Sequence, residues 1–108
     1  MTYTSPFPAI EIPIAPLHEH LFEHAHQWAD KPALIDGPTG RRLTYTELRH
    51  AIGAVSTGLK ARGFKPGDVF AIFSPNIPEY AVAFFGVSTA GGINTTINPL
   101  YTAEEVKR

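Results

Sequence analysis

Residues 67–97 read GDVFAIFSPNIPEYAVAFFGVSTAGGINTTI, and the way this stretch divides decides the fold. Lys65-Pro66-Gly67-Asp68 is a turn, with Asp68 placed to cap it. Val69 to Phe73 is a continuous apolar run, as expected of a strand covered on both faces. Asn76 is placed to cap a helix with Pro78 in its first turn. That helix runs through Tyr80 to Ala90 and stops at Gly91-Gly92. Ile93 to Ile97 is a second short strand in which the β-branched Thr95 and Thr96 belong. Strand, helix and strand in succession predict a βαβ unit, right-handed by default, and hence an α/β fold.

Upstream of this unit, Thr44 and Glu47 form a capping box: the hydroxyl meets the amide of Glu47 and the carboxylate reaches back. The helix behind it buries Leu48, Ile52, Val55 and Leu59 at helical spacing and stops at Gly63, a left-handed position. Tyr45 is a packing residue at its start. Ala33 to Asp36 and Arg41 to Thr44 are short strands joined by the turn Gly37-Pro38-Thr39-Gly40. Pro16 suits the first position of another helix. Leu17, Leu21, Ala25 and Trp28 make its apolar stripe, with Trp28 as a buried aromatic closing it, and Asp30-Lys31-Pro32 ends it. Residues 1–16 carry Pro6, Pro8, Pro13 and Pro16 without helical period, and are expected to be an extended arm lying on something else.

Downstream, Thr102-Ala103-Glu104-Glu105 is a second capping box, so a helix starts near Ala103. The sequence reaches Arg108 before two turns are complete, and so short a helix is not stable by itself. The expectation is a truncated piece of a longer protein, with residues 17–108 an incomplete segment of a domain.

The bulk numbers exclude several classes. The 108 residues suffice for one small core, 44% of them apolar and 18% charged. A net charge of −1 offers no basic field for nucleic acid. There are no cysteines, which rules out disulfides, thiol nucleophiles and cysteine-ligated zinc and suits a reducing compartment. The most apolar run, Ala81 to Ile93, is too short to span a bilayer. A soluble, cytoplasmic chain is expected.

Three stretches carry a resemblance. They are Leu43-Thr44-Tyr45-Thr46-Glu47-Leu48; Gly67-Asp68-Val69-Phe70-Ala71-Ile72 with Asn76-Ile77-Pro78-Glu79; and Ala90 through Pro99, AGGINTTINP. In this order and spacing they resemble the start of the adenylate-forming, AMP-binding superfamily: acyl- and aryl-CoA synthetases, luciferases and the adenylation domains of peptide synthetases. Asn98-Pro99-Leu100-Tyr101-Thr102-Ala103-Glu104-Glu105-Val106 looks most like the 4-coumarate–CoA ligase branch. The resemblance covers Leu17 to Arg108. It implies the N-terminal part of the large domain of an enzyme that uses ATP, Mg²⁺ and coenzyme A to convert a carboxylic acid, through an acyl-adenylate, to its CoA thioester. The family's phosphate loop, adenine and ribose contacts and catalytic lysine match nothing here. The resemblance therefore places no catalytic, cofactor-binding or metal-binding residue in this segment, which is expected to be scaffold and inactive by itself. Its partner would be the C-terminal remainder of its own chain.

Two other classes compete. One is a stand-alone binding or interaction module. The other is a small zinc peptidase, because His20-Leu21-Phe22-Glu23-His24 spells H-x-x-E-H, the inverted zinc-peptidase order. An i,i+4 pair of histidines shares a helix face, but the reading needs a third protein ligand. An amphipathic surface helix explains the same residues. Asn76 and Glu79, which could bond a substrate, are explained by a cap and a first-turn acid. Thr95 and Thr96, which could bond a phosphate, are explained by the strand.

Overall fold

A computed structural model describes all of residues 1–108. The first fifteen residues form no helix or strand, and their Ile10, Ile12 and Ile14 are fully exposed. Helix α1 (Leu17–Phe22) follows Pro16, which stands just outside the helix rather than at its first position. The chain then tightens into a 3-10 helix (Ala25–Trp28) instead of continuing as one α-helix. Phe22 at the end of α1 and Ala25 at the start of the 3-10 helix lie on one side. That side faces the core, with Ala25 buried and Phe22 edge-on against Phe85 at 5.6 Å between ring centroids. The expected stripe is therefore wrong at three of its four members: Leu17, Leu21 and Trp28 are 60%, 54% and 42% exposed.

Strands β1 (Pro32–Ile35) and β2 (Arg42–Thr44) pair antiparallel as a hairpin, with a register irregularity between Pro32 and Leu34. The backbone turns back at Gly40, whose φ of +72° only glycine adopts without strain. Helix α2 (Tyr45–Ala61) begins at the anticipated box: Glu47 N–H donates to Thr44 Oγ1 at 3.1 Å, and Thr44 N–H donates to the Glu47 carboxylate at 2.8 Å. It ends where Gly63 takes φ +90°. Its inward face holds Leu48, Ile52 and, unanticipated, Ser56, all nearly fully buried, while Val55 and Leu59 are only half-buried.

Strand β3 (Val69–Phe73), helix α3 (Pro78–Thr89) and strand β4 (Ile93–Ile97) make the βαβ unit, and β3 and β4 pair in parallel with Val69 opposite Ile93 and Phe73 opposite Ile97. Ile77 rather than Asn76 stands at the α3 N-cap, and no side chain caps that helix. With Pro78 opening the helix, one of the free N–H groups is already removed, which lessens the need for a cap. Helices α2 and α3 pack closely because Gly86 has no side chain: a Cβ there would lie 2.5 Å from Val55 Cγ1. Leu48, Ile52 and Val82 form the centre of the core between them. A last helix, α4 (Ala103–Val106), carries the second capping box, with Thr102 N–H 2.8 Å from Glu105 Oε2.

The expectation that β3 is covered on both faces fails. Ile72 is buried beneath α3, but Val69 and Phe73 on the opposite face are 62% and 56% exposed.

Candidate functional site

The His-rich stretch resolves into a surface cluster. Because α1 ends at Phe22, His20 and His24 do not share one regular helix face. Both imidazoles instead flank the carboxylate between them: His20 Nδ1 lies 3.4 Å and His24 Nε2 4.0 Å from Glu23 Oε2. More than half of each side chain is in solvent. No group of three or more His, Asp or Glu side chains stands close enough to hold one metal ion. A polar cleft of about 440 Å³ does open beside the cluster, where His18, Glu19, Glu23 and His26 face Arg49 of α2. Its charges are mixed in sign, which gives no field for one kind of ligand.

Glycines and threonines that might have held a phosphate are used structurally. Gly40 N–H donates to Asp36 O at 2.7 Å within the hairpin turn. Gly91 N–H donates to Ser88 O at 3.0 Å and Gly92 N–H to Val87 O at 2.9 Å, closing the C-terminus of α3. These amides are already spent, and anion loops need free ones. Thr95 and Thr96 are paired in β4 opposite Ala71 and Ile72. The residues present thus do not fit the phosphates of ATP or their Mg²⁺.

Three further candidates, Asp68, Tyr45 and Glu79, have structural occupations, whereas Asn76 caps no helix. Asp68 caps its turn by accepting from Lys65 N–H at 2.8 Å. Tyr45 packs at the start of α2 against Trp28, with ring centroids 6.2 Å apart. Glu79 is held by Arg41 through a two-pronged ion pair, one arm of which measures 2.7 Å. The guanidinium keeps the Glu79 carboxyl below the usual carboxylate range, chiefly by hydrogen bonding, and Arg41 is raised in return. Glu105 is lowered as well, by the Thr102 backbone N–H first and then by the Thr102 side chain.

Two contacts escaped sequence reasoning. The Arg41–Glu79 pair joins residues 38 apart, and no local pattern signals it. Asn94 on β4 donates to Phe84 O at 3.0 Å and to Ser88 Oγ at 3.1 Å, tying the strand to α3, while its Oδ1 is buried without a partner. A polar residue in an otherwise apolar and β-branched strand was the available signal.

Comparison with known proteins defines the place of this chain. Residues 21–108 match the AMP-binding enzyme family, to which this chain belongs. Among its relatives, 4-coumarate-CoA ligase 1 of Narcissus pseudonarcissus is 39% identical over 107 residues, which is 98% of this chain and 20% of that protein. The chain thus spans about a fifth of the length of the curated relatives it matches. A benzoate CoA ligase from Burkholderia xenovorans LB400 superposes with a TM-score of 0.76 at 28% identity, over 82% of this chain and 18% of that one. An anthranilate CoA ligase solved with anthranoyl-AMP shares the fold, with a TM-score of 0.80 at 24% identity over 89% of this chain and 18% of its own. The α/β class is as expected, and neither competing class finds support: the chain is similar to a part of AMP-forming CoA ligases throughout.

Proposed function

We propose that this chain is the N-terminal fifth of an AMP-forming carboxylic acid–CoA ligase resembling the 4-coumarate–CoA ligases. Residues 1–16 are an arm, and residues 17–108 are an incomplete segment of the AMP-binding domain. In the complete enzyme a carboxylate attacks the α-phosphorus of ATP, bound with Mg²⁺, to give an acyl-adenylate and diphosphate. The thiol of coenzyme A then displaces AMP and forms the thioester. This reaction needs donors for a developing negative charge and a site closed to water. The residues present supply neither, so this segment contributes scaffold and no catalytic, cofactor-binding or metal-binding residue. A cytoplasmic setting suits a chain with no cysteine.

The observation that carries the reading is identity near 40% across nearly the whole chain. The test is a pair of chimeras in which residues 1–108 replace the matching fifth of the Narcissus 4-coumarate-CoA ligase and of the Burkholderia benzoate CoA ligase. Each is assayed with ATP, Mg²⁺, coenzyme A and a panel of cinnamates and benzoates. A scaffold segment leaves acid preference with the donor of the remainder. If both chimeras take on one common new preference, residues 1–108 help to build the acid pocket and the scaffold assignment is wrong.

A further inference from the structure

Four of the chain's five histidines, His18, His20, His24 and His26, lie within residues 17–28, together with Glu19 and Glu23 and no lysine or arginine. This segment is fastened at its far end, where Ala29 O accepts from Thr46 N–H and from Thr46 Oγ1, both at 3.1 Å. Before Ala29 it rests on the core through Phe22, edge-on to Phe85, and through the buried Ala25. Its other end runs into the exposed arm. It is thus a flap with its hinge at Ala29 and few apolar contacts to hold it down.

The charges around the flap change with pH. His18, Glu19, Glu23 and His26 line the cleft opposite Arg49 of α2, and His26 also stands beside His50. Helix α3 meets the flap with the uncharged Phe85 and Thr89. Asp30 and Lys31, which follow the hinge, are opposite in sign. In neutral solution the two carboxylates face Arg49 and draw the flap onto α2. Histidine gains positive charge as pH falls from about 8 to about 5. His20 and His24, at 3.4 and 4.0 Å from Glu23 Oε2, then engage that carboxylate and offset its pull on Arg49. His18 and His26 add positive charge opposite Arg49 and a protonated His50, and Glu19 alone remains to oppose them. Both walls of the cleft then carry the same sign. Proton uptake favours the detached flap, in which these charges spread into water. We infer that residues 17–28 are a pH-sensitive flap, which lies on α2 and α3 at neutral pH and swings away about Ala29 in mild acid.

The test uses residues 1–108, whose one tryptophan, Trp28, sits in the flap against Tyr45. Acrylamide quenching of Trp28 should rise at least threefold between about pH 7.5 and about pH 5.5, while far-UV circular dichroism keeps the helical signal. The absence of cysteine allows a second measurement. Ala25→Cys puts one thiol beneath the flap, and Thr57→Cys puts one on the exposed side of α2 as a reference. The ratio of their maleimide rates removes the common effect of pH on thiol reactivity, and should rise at least tenfold over the same range. His18→Gln combined with His26→Gln should remove most of both responses, and Arg49→Gln should move them to lower pH. Quenching or a labelling ratio that stays constant would overturn the inference. So would an equal response when all four flap histidines are replaced by glutamine. Loss of the helical signal in step with the quenching would overturn it too, because the whole chain would then be unfolding.

Discussion

The guanidinium of Arg41 holds the carboxylate of Glu79 through both of its terminal nitrogens, fastening the end of the β1–β2 hairpin to the first turn of α3. The pair also sets Glu79 at a helix N-terminus, where a negative charge is favoured. Because both side chains are half in solvent, the contribution to stability is modest and weakened by salt.

The sign of its pH dependence follows from the lowered Glu79 carboxyl. A depressed folded value stabilises the fold above the unfolded carboxylate value, and the contribution fades as pH falls through the folded one. Glu79→Gln should therefore lower the denaturant midpoint at neutral pH and make no difference in strong acid. A deficit that persists unchanged in acid would mean the side chain acts through packing rather than charge.

The first capping box has a larger effect. Thr44→Ala removes the acceptor for Glu47 N–H at the start of the longest helix. The expected loss is about 1 kcal/mol, with Thr44→Ser close to wild type. Urea unfolding of the three proteins checks it, and equal midpoints for Thr44→Ala and wild type would show that the box is not formed in solution.

Close packing of α2 on α3 gives a paired prediction. Gly86→Ala drives a methyl into Val55 and should cost about 1–3 kcal/mol. Val55→Ala opens the space, so the double variant should recover part of the loss. Strict additivity of the two substitutions would place the helices further apart than described here.

Metal content tests the opening histidines. His20 and His24 converge on Glu23 with no third ligand nearby, so the dialysed chain should hold far less than one zinc per molecule. Tightly held stoichiometric zinc, lost in His20→Ala, would contradict this.

What could be read from the sequence was local. The Thr44–Glu47 and Thr102–Glu105 boxes depend on residues three apart, and Gly63 ends α2 through its own backbone freedom. The βαβ unit was legible because apolar runs and glycine pairs mark its joints. The break after Phe22 was not, because the same histidine- and glutamate-rich stretch fits a continuous helix, and the edge-on contact of Phe22 with Phe85 is made with a distant part of the chain. Trp28 was misplaced for the same reason. The Arg41–Glu79 pair lay outside any local pattern. At the candidate site, the lack of a phosphate-binding run was visible as composition, whereas the engagement of the Gly91 and Gly92 amides in closing α3 required the fold.

The central claim is that residues 1–108 are scaffold for a ligase whose chemistry lies in the rest of the protein. Its most direct test is simultaneous measurement of AMP and CoA thioester from ATP, Mg²⁺, coenzyme A and 4-coumarate, with residues 1–108 alone and with the Narcissus chimera. The expected result is equal amounts of AMP and thioester from the chimera and neither from residues 1–108. AMP released by residues 1–108 alone, or a folded chimera that forms no thioester, would contradict the account.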